Sequence, residues 1–145
     1  MFKLLLAAAA LLTVQSASIK WQVIDISREK SRVLMIDTAS RPVTPSRIVS
    51  ANVFVTVDMP GLAALQGVWE IDCEQHLHRV VRATGYDRAG KPTGTDTNPQ
   101  PWAPTLAGTL FEGAEDYICQ GKTDYPGKLV TGVLPIAEAN ALLKN

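Results

Sequence analysis

The sequence predicts an α+β domain: an antiparallel β-sheet of about five or six strands with one helix packed on a face and tethered there by a disulfide. Three observations predict it. Apolar and polar residues alternate with a period of two through the first two-thirds of the chain, as half-buried strands require. The period becomes helical over residues 105–119. The chain's two cysteines fall one on a strand (Cys73) and one at the end of that helix (Cys119).

Taken in order, "SIKWQVIDIS" (18–27) reads as the first strand. It places Ile19, Trp21, Val23 and Asp25 on one face and Ile24 and Ile26 on the other. "REKS" is a charged turn, and "RVLMIDT" (32–38) completes a hairpin. "SRPVTPS" carries two prolines and belongs in a loop or on an edge. Residues 47–59 are rich in β-branched side chains, with Val53, Val55 and Val57 sharing a face. Pro60-Gly61 marks a turn. "LQGVWEIDC" (65–73) sets Trp69, Ile71 and Cys73 against Glu70 and Asp72, so Cys73 points toward the core. Residues 76–87 form another strand, followed by a turn in which Gly90 supplies a positive φ. Residues 91–104 hold too much Pro, Gly, Asn and Thr for regular structure beyond a short strand over 92–95.

Over 105–119, Leu106, Leu110, Phe111, Ala114 and Ile118 make a helical apolar face. Thr109 is placed as N-cap, with Glu112 three residues on to complete a capping box, and Gly121 as the stop. The domain then spans 18–121. Residues 122–145 read as a C-terminal tail. Within it, "LPIAEANALLK" (134–144) has the pattern of a short helix with Pro135 in its first turn. So short a helix is marginal alone, so it is either docked or frayed.

Residues 1–17 read as a secretory signal peptide. Lys3 gives the positive start, and Leu4 to Val14 run eleven residues without a charge, too short to span a bilayer. Small side chains at Ser16, Ala17 and Ser18 place the cut among them. The expected location is the periplasm or the cell surface, with no transmembrane segment in the mature chain. In an oxidising compartment an even cysteine count in a small chain reads as a bridge, here Cys73–Cys119. Net charge is zero with no basic run, which argues against nucleic acid as a partner.

Motifs that carry chemistry are few. His76 and His78 are the only histidines, and on a strand they project to the same side, which makes them candidate metal or haem ligands once a third ligand such as Glu74 joins. Two solvated histidines on an exposed strand explain the same spacing. No GxSxG elbow and no glycine-rich phosphate loop is present, and the carboxylates announce no acid–base pair, so no catalytic residue and no cofactor is expected. Trp21, Trp69 and Trp102 are candidates for a ligand groove or for packing.

The segments "MIDTAS" (35–40), "VWEIDCEQHLHRVVRATGYDRAGK" (68–91), "PQPWAP" (99–104) and "TLFEGAEDYIC" (109–119) resemble the surface-adhesin protein E family of bacterial envelope proteins. Strand–Asp–Cys, a basic strand, Tyr, a Gly turn, Trp and a helix ending in Cys follow in that family's order, over roughly residues 20–120. The resemblance implies export, the sheet with its bridged helix, and adhesion to extracellular or envelope proteins. The leading expectation is therefore a non-enzymatic, protein-binding or adhesion-like module. The alternative is a periplasmic binder of a small ligand, haem or metal.

Overall fold

The computed structural model describes residues 18–145, so the leader expected over 1–17 lies outside the described residues. The chain enters as a meander. β1 (Lys20–Ser27), β2 (Arg32–Asp37), β3 (Ile48–Met59), β4 (Leu62–Asp72), β5 (Leu77–Tyr86) and β6 (Pro92–Asp96) each pair antiparallel with the next. β7 (Ala103–Pro104) pairs with the start of β5. Helix α1 (Leu110–Glu115) continues into a wider π-type turn over Asp116–Gln120. β8 (Leu129–Thr131) pairs with β1, and helix α2 (Ile136–Lys144) ends the chain. The sheet has eight strands, in the order β6-β5-β4-β3-β2-β1-β8 with β7 off the path.

The expected five or six strands are therefore too few. The additions are β7 and β8, two and three residues long, which are too short to show an alternation. They form because neighbouring strands present unpaired backbone groups that short segments satisfy. β8 also changes the reading of residues 122–145. That segment is joined to the sheet through β8, and Gln22 fastens the chain on the way by donating to the carbonyls of Tyr125 (2.6 Å) and Lys128 (3.3 Å).

Buried side chains fall into two clusters on opposite faces of the sheet. The first joins Leu34, Val53, Val55, Trp69 and Ile71 with Ala114, Tyr117 and Ile118 of the α1 segment. The second joins Trp21, Val23, Met35 and Phe54 with Ile136 and Ala139 of α2. The α2 segment is thus the docked alternative. The indole of Trp21 donates to the Gly132 carbonyl (2.7 Å), tying the approach to α2 to β1.

A bulge in β1 overturns part of the expected facing. The β1–β2 register shifts between Val23 and Asp25, after which Asp25 sits opposite Leu34 and Ile26 opposite Val33. One extra residue moves everything beyond it to the other side. Ile26 therefore packs with Trp21 and Val23, while Asp25 shares the face of Leu34.

The helix begins at Leu110, directly after the expected N-cap Thr109, and residues 105–109 of the periodic stretch are not helical. Gly108, at φ 76°, turns the chain just before it. Thr109 is the N-cap residue, but the capping box does not form. Its hydroxyl donates to the Leu106 carbonyl (2.7 Å), and the Glu112 carboxylate accepts from the Gly108 N–H (2.7 Å). Gly113, unfavourable in a helix interior, has a packing reason. A Cβ there would lie 3.2 Å from the Ile24 side chain of β1. Gly121 closes the segment at φ 70°, with the Arg41 guanidinium where a Cβ would go.

The Cys73–Cys119 disulfide is formed, with Cα atoms 5.7 Å apart. Beside it, the buried Asp72 carboxylate accepts from the N–H groups of Glu74 (3.0 Å) and Gln75 (2.9 Å) and from the Arg47 guanidinium. The backbone bond from Gln75, aided by Arg47, holds this carboxyl below its usual range against the cost of burial. The β4–β5 turn is thus fixed by an Asx-type turn, an ion pair and the bridge together.

A candidate ligand cleft between the sheet and helix α1

The register of three strands explains why the first face is not filled. Val53 of β3 sits opposite Gly67 of β4, and Gly67 opposite Ala83 of β5. Cross-strand partners share a face, so two of the smallest side chains stand side by side in one row. Gly67 admits nothing larger, because a Cβ would collide with the Arg82 carbonyl oxygen. The row leaves a cleft of about 330 Å³. Its floor is Val53, Val55 and Val57 of β3, Leu65 and Trp69 of β4, and Val80 and Ala83 of β5. Leu110 and Phe111 of α1 form the wall. Its size is at the small end of the range of ligand pockets, and its lining is apolar as theirs is.

Two polar residues mark the ends. Gln100, held by a backbone bond from its N–H to the Val80 carbonyl (2.8 Å), lies on the β5 side. Arg32, the first residue of β2, lies on the other. Arg32 alternates with Leu34 and so faces the same side of the sheet as the cleft. Its Nε–H is shielded from solvent and lacks a hydrogen-bond partner, and among the described residues Arg32 makes no ion pair. Arg32 also borders an adjoining hollow of about 290 Å³ whose rim carries Asp25, Glu112, Asp116 and Asp124.

The two histidines do not project side by side from one strand. His76 lies in the β4–β5 turn at φ 55°, not on the strand, so the same-side argument does not apply to it. Its Nδ1 is hydrogen-bonded to the Glu115 carboxylate of α1. That bond raises the His76 pKa above its ordinary value. His78 stacks on Phe111, with ring centroids 3.6 Å apart, and its Nδ1 lies 3.3 Å from the Thr105 hydroxyl. Burial lowers its pKa, against the pull of Glu115. Glu74, the expected third ligand, pairs with Arg47 instead. Among the described residues, no group of three or more His, Cys, Asp or Glu side chains is placed to share a metal ion.

The tryptophans do not converge on a groove. Trp21 is fully buried in the second cluster, and Trp102 lies under the Arg79 guanidinium, 4.7 Å from its ring centroid. Only Trp69 reaches the cleft, where it packs against Phe111 at 4.6 Å. A larger hollow, about 540 Å³, opens between the β3–β4 and β5–β6 turns. Its Asp87 is committed to its own loop, accepting from the N–H groups of Ala89 and Lys91, and its walls are mostly turn residues. The cleft under α1 is the better candidate because apolar floor, aromatic wall and an unmatched charged donor meet there. Sequence reasoning missed Arg32, Gly67 and Ala83, which come together only through strand register. No helix among the described residues is long and apolar enough to cross a membrane. Comparison with protein-family models, curated proteins and solved structures finds no match to this chain.

Proposed function

We propose that this chain is an exported, non-enzymatic binding module of the periplasm or cell surface, and that it holds a small apolar molecule in the cleft between the sheet and α1. The observation that carries this reading is the cleft itself, an apolar trough kept open by Gly67 and Ala83. The Cys73–Cys119 bridge fits an oxidising compartment. The resemblance to the surface-adhesin protein E family supports the export and the absence of catalysis. Its adhesive role draws less support, because the exposed large hydrophobic residues are dispersed. Val43 and Leu106 lie in loops, Ile48 and Met59 at opposite ends of β3, and Leu129 and Val133 near each other towards the C-terminus.

The test is an NMR titration of the oxidised protein with decan-1-ol, beside an Ala83→Leu variant that fills the trough. Wild type is expected to saturate with shifts at Leu65, Trp69, Val80 and Phe111, and Ala83→Leu to show none. A wild-type spectrum unmoved up to the alcohol's solubility limit would sink the reading. Export is checked separately, by the mass of the mature chain and by protease added to intact cells. A chain that retains residues 1–17 in the cytoplasm refutes it.

A further inference from the structure

We infer that the occupant of the cleft is a single unbranched alkyl chain ending in a carboxylate, with Arg32 receiving the carboxylate; this rests on reading the cleft as a ligand site. The shape argues for one chain. The lining runs from Arg32 on β2 to Ala83 on β5, three strand spacings, or roughly 14 Å. A volume of about 330 Å³ has no room for paired acyl chains, and one extended chain reaches from one end of the lining to the other. At about 30 Å³ per heavy atom, the volume of a liquid water, the trough holds on the order of eleven heavy atoms.

The charge argues for the head group. A guanidinium N–H shielded from water with no acceptor is a costly arrangement, and a carboxylate arriving along the trough supplies the acceptor in its strongest form. Gln100 at the far end is uncharged, so the two ends are not equivalent. The groups facing Arg32 from the neighbouring hollow are Asp25 of β1, Glu112 of α1, Asp116 of the π-type turn and Asp124 beyond it. None makes an ion pair with Arg32, and their charge reaches it only through space. They do set a limit: a doubly charged phosphate meets four carboxylates there, whereas a monoanion makes the Arg32 contact with half the repulsion.

The experiment compares three ligands of one chain length, decanoate, decan-1-ol and decylammonium, each below its micellar concentration, on wild type and Arg32→Gln. Wild type is expected to bind decanoate at least about tenfold more tightly than decan-1-ol. Arg32→Gln should erase that preference. Equal affinities in wild type, or tighter binding of decylammonium, would overturn the inference while leaving the cleft a ligand site. These wild-type comparisons decide even if Arg32→Gln folds poorly. A folded Arg32→Gln that keeps the full preference would overturn it too. Failure of all three ligands would remove the cleft reading and this inference together.

Discussion

The two faces of the sheet are closed by different means. On one, the α1 segment is short and is tied near its C-terminal end by Cys73–Cys119 and the His76–Glu115 pair. On the other, α2 carries no bridge and rests on Ile136 and Ala139 against Trp21, Val23, Met35 and Phe54. A covalent tie stabilises largely by constraining the unfolded chain, so it does not require the surface beneath to be filled. Packing alone does require it. The bridged face therefore tolerates the row Val53–Gly67–Ala83 and its cleft, at the end of α1 away from the bridge. This lesson is testable from both sides.

The largest expected effect is loss of the bridge. It closes a loop of 46 residues, for which chain entropy gives about 4 kcal/mol. A Cys73→Ala, Cys119→Ala double variant should unfold at correspondingly lower denaturant, with its α1 amides losing exchange protection while α2 amides keep theirs relative to global unfolding. If α2 opens first, the contrast between the faces is wrong. Next in size is Ile136→Ala on the unbridged face. Ile136 is nearly buried, and truncations of this kind cost about 2–4 kcal/mol in packed cores. Denaturant melts of the variant, oxidised and reduced, should show the same loss in both states. A loss that depends on the bridge would mean that the faces are coupled.

Ala83→Leu sharpens the comparison with a smaller effect. In a filled core the three added carbons cost about 1–3 kcal/mol. Over an empty trough it should be neutral or stabilising, within about 1 kcal/mol. A cost above 2 kcal/mol in a thermal or denaturant melt would show that the face is already packed.

What the sequence made legible follows the same division. The long strands and the helix near the C-terminus are visible because each buries one face, and burial writes its period into the residues. The Cys pairing is visible because export makes an even count meaningful. The cleft is not, since Gly67 and Ala83 are sixteen positions apart and meet only once β4 and β5 are in register. Arg32 opens its strand and reads as an ordinary charged start. The β1 bulge, which turned Asp25 and Ile26 to unexpected sides, carries no Gly or Pro to announce it. His76 was misplaced because residues 76–87 alternate well enough to hide that its φ is positive.

The two histidines give the finest test of how the bridged face is held, because they titrate in opposite directions. The Glu115 carboxylate holds the proton on His76, so its folded pKa is above the ordinary 6.5. Its contribution to stability is fully present below 6.5 and is lost as pH rises through that folded value. His78 is pushed the other way by burial against Phe111, so its contribution is present above 6.5 and is lost as pH falls through its lower folded value. Ring-proton NMR should resolve midpoints on either side of 6.5. His76→Gln should take away the stability that wild type gains as pH falls toward 6.5 and leave the His78 loss below 6.5, so that the variant is flat above 6.5 where wild type gains. Coincident midpoints, or a His76→Gln profile parallel to wild type, would mean that Glu115 is not held by His76 and that the bridge alone fixes the C-terminal end of α1.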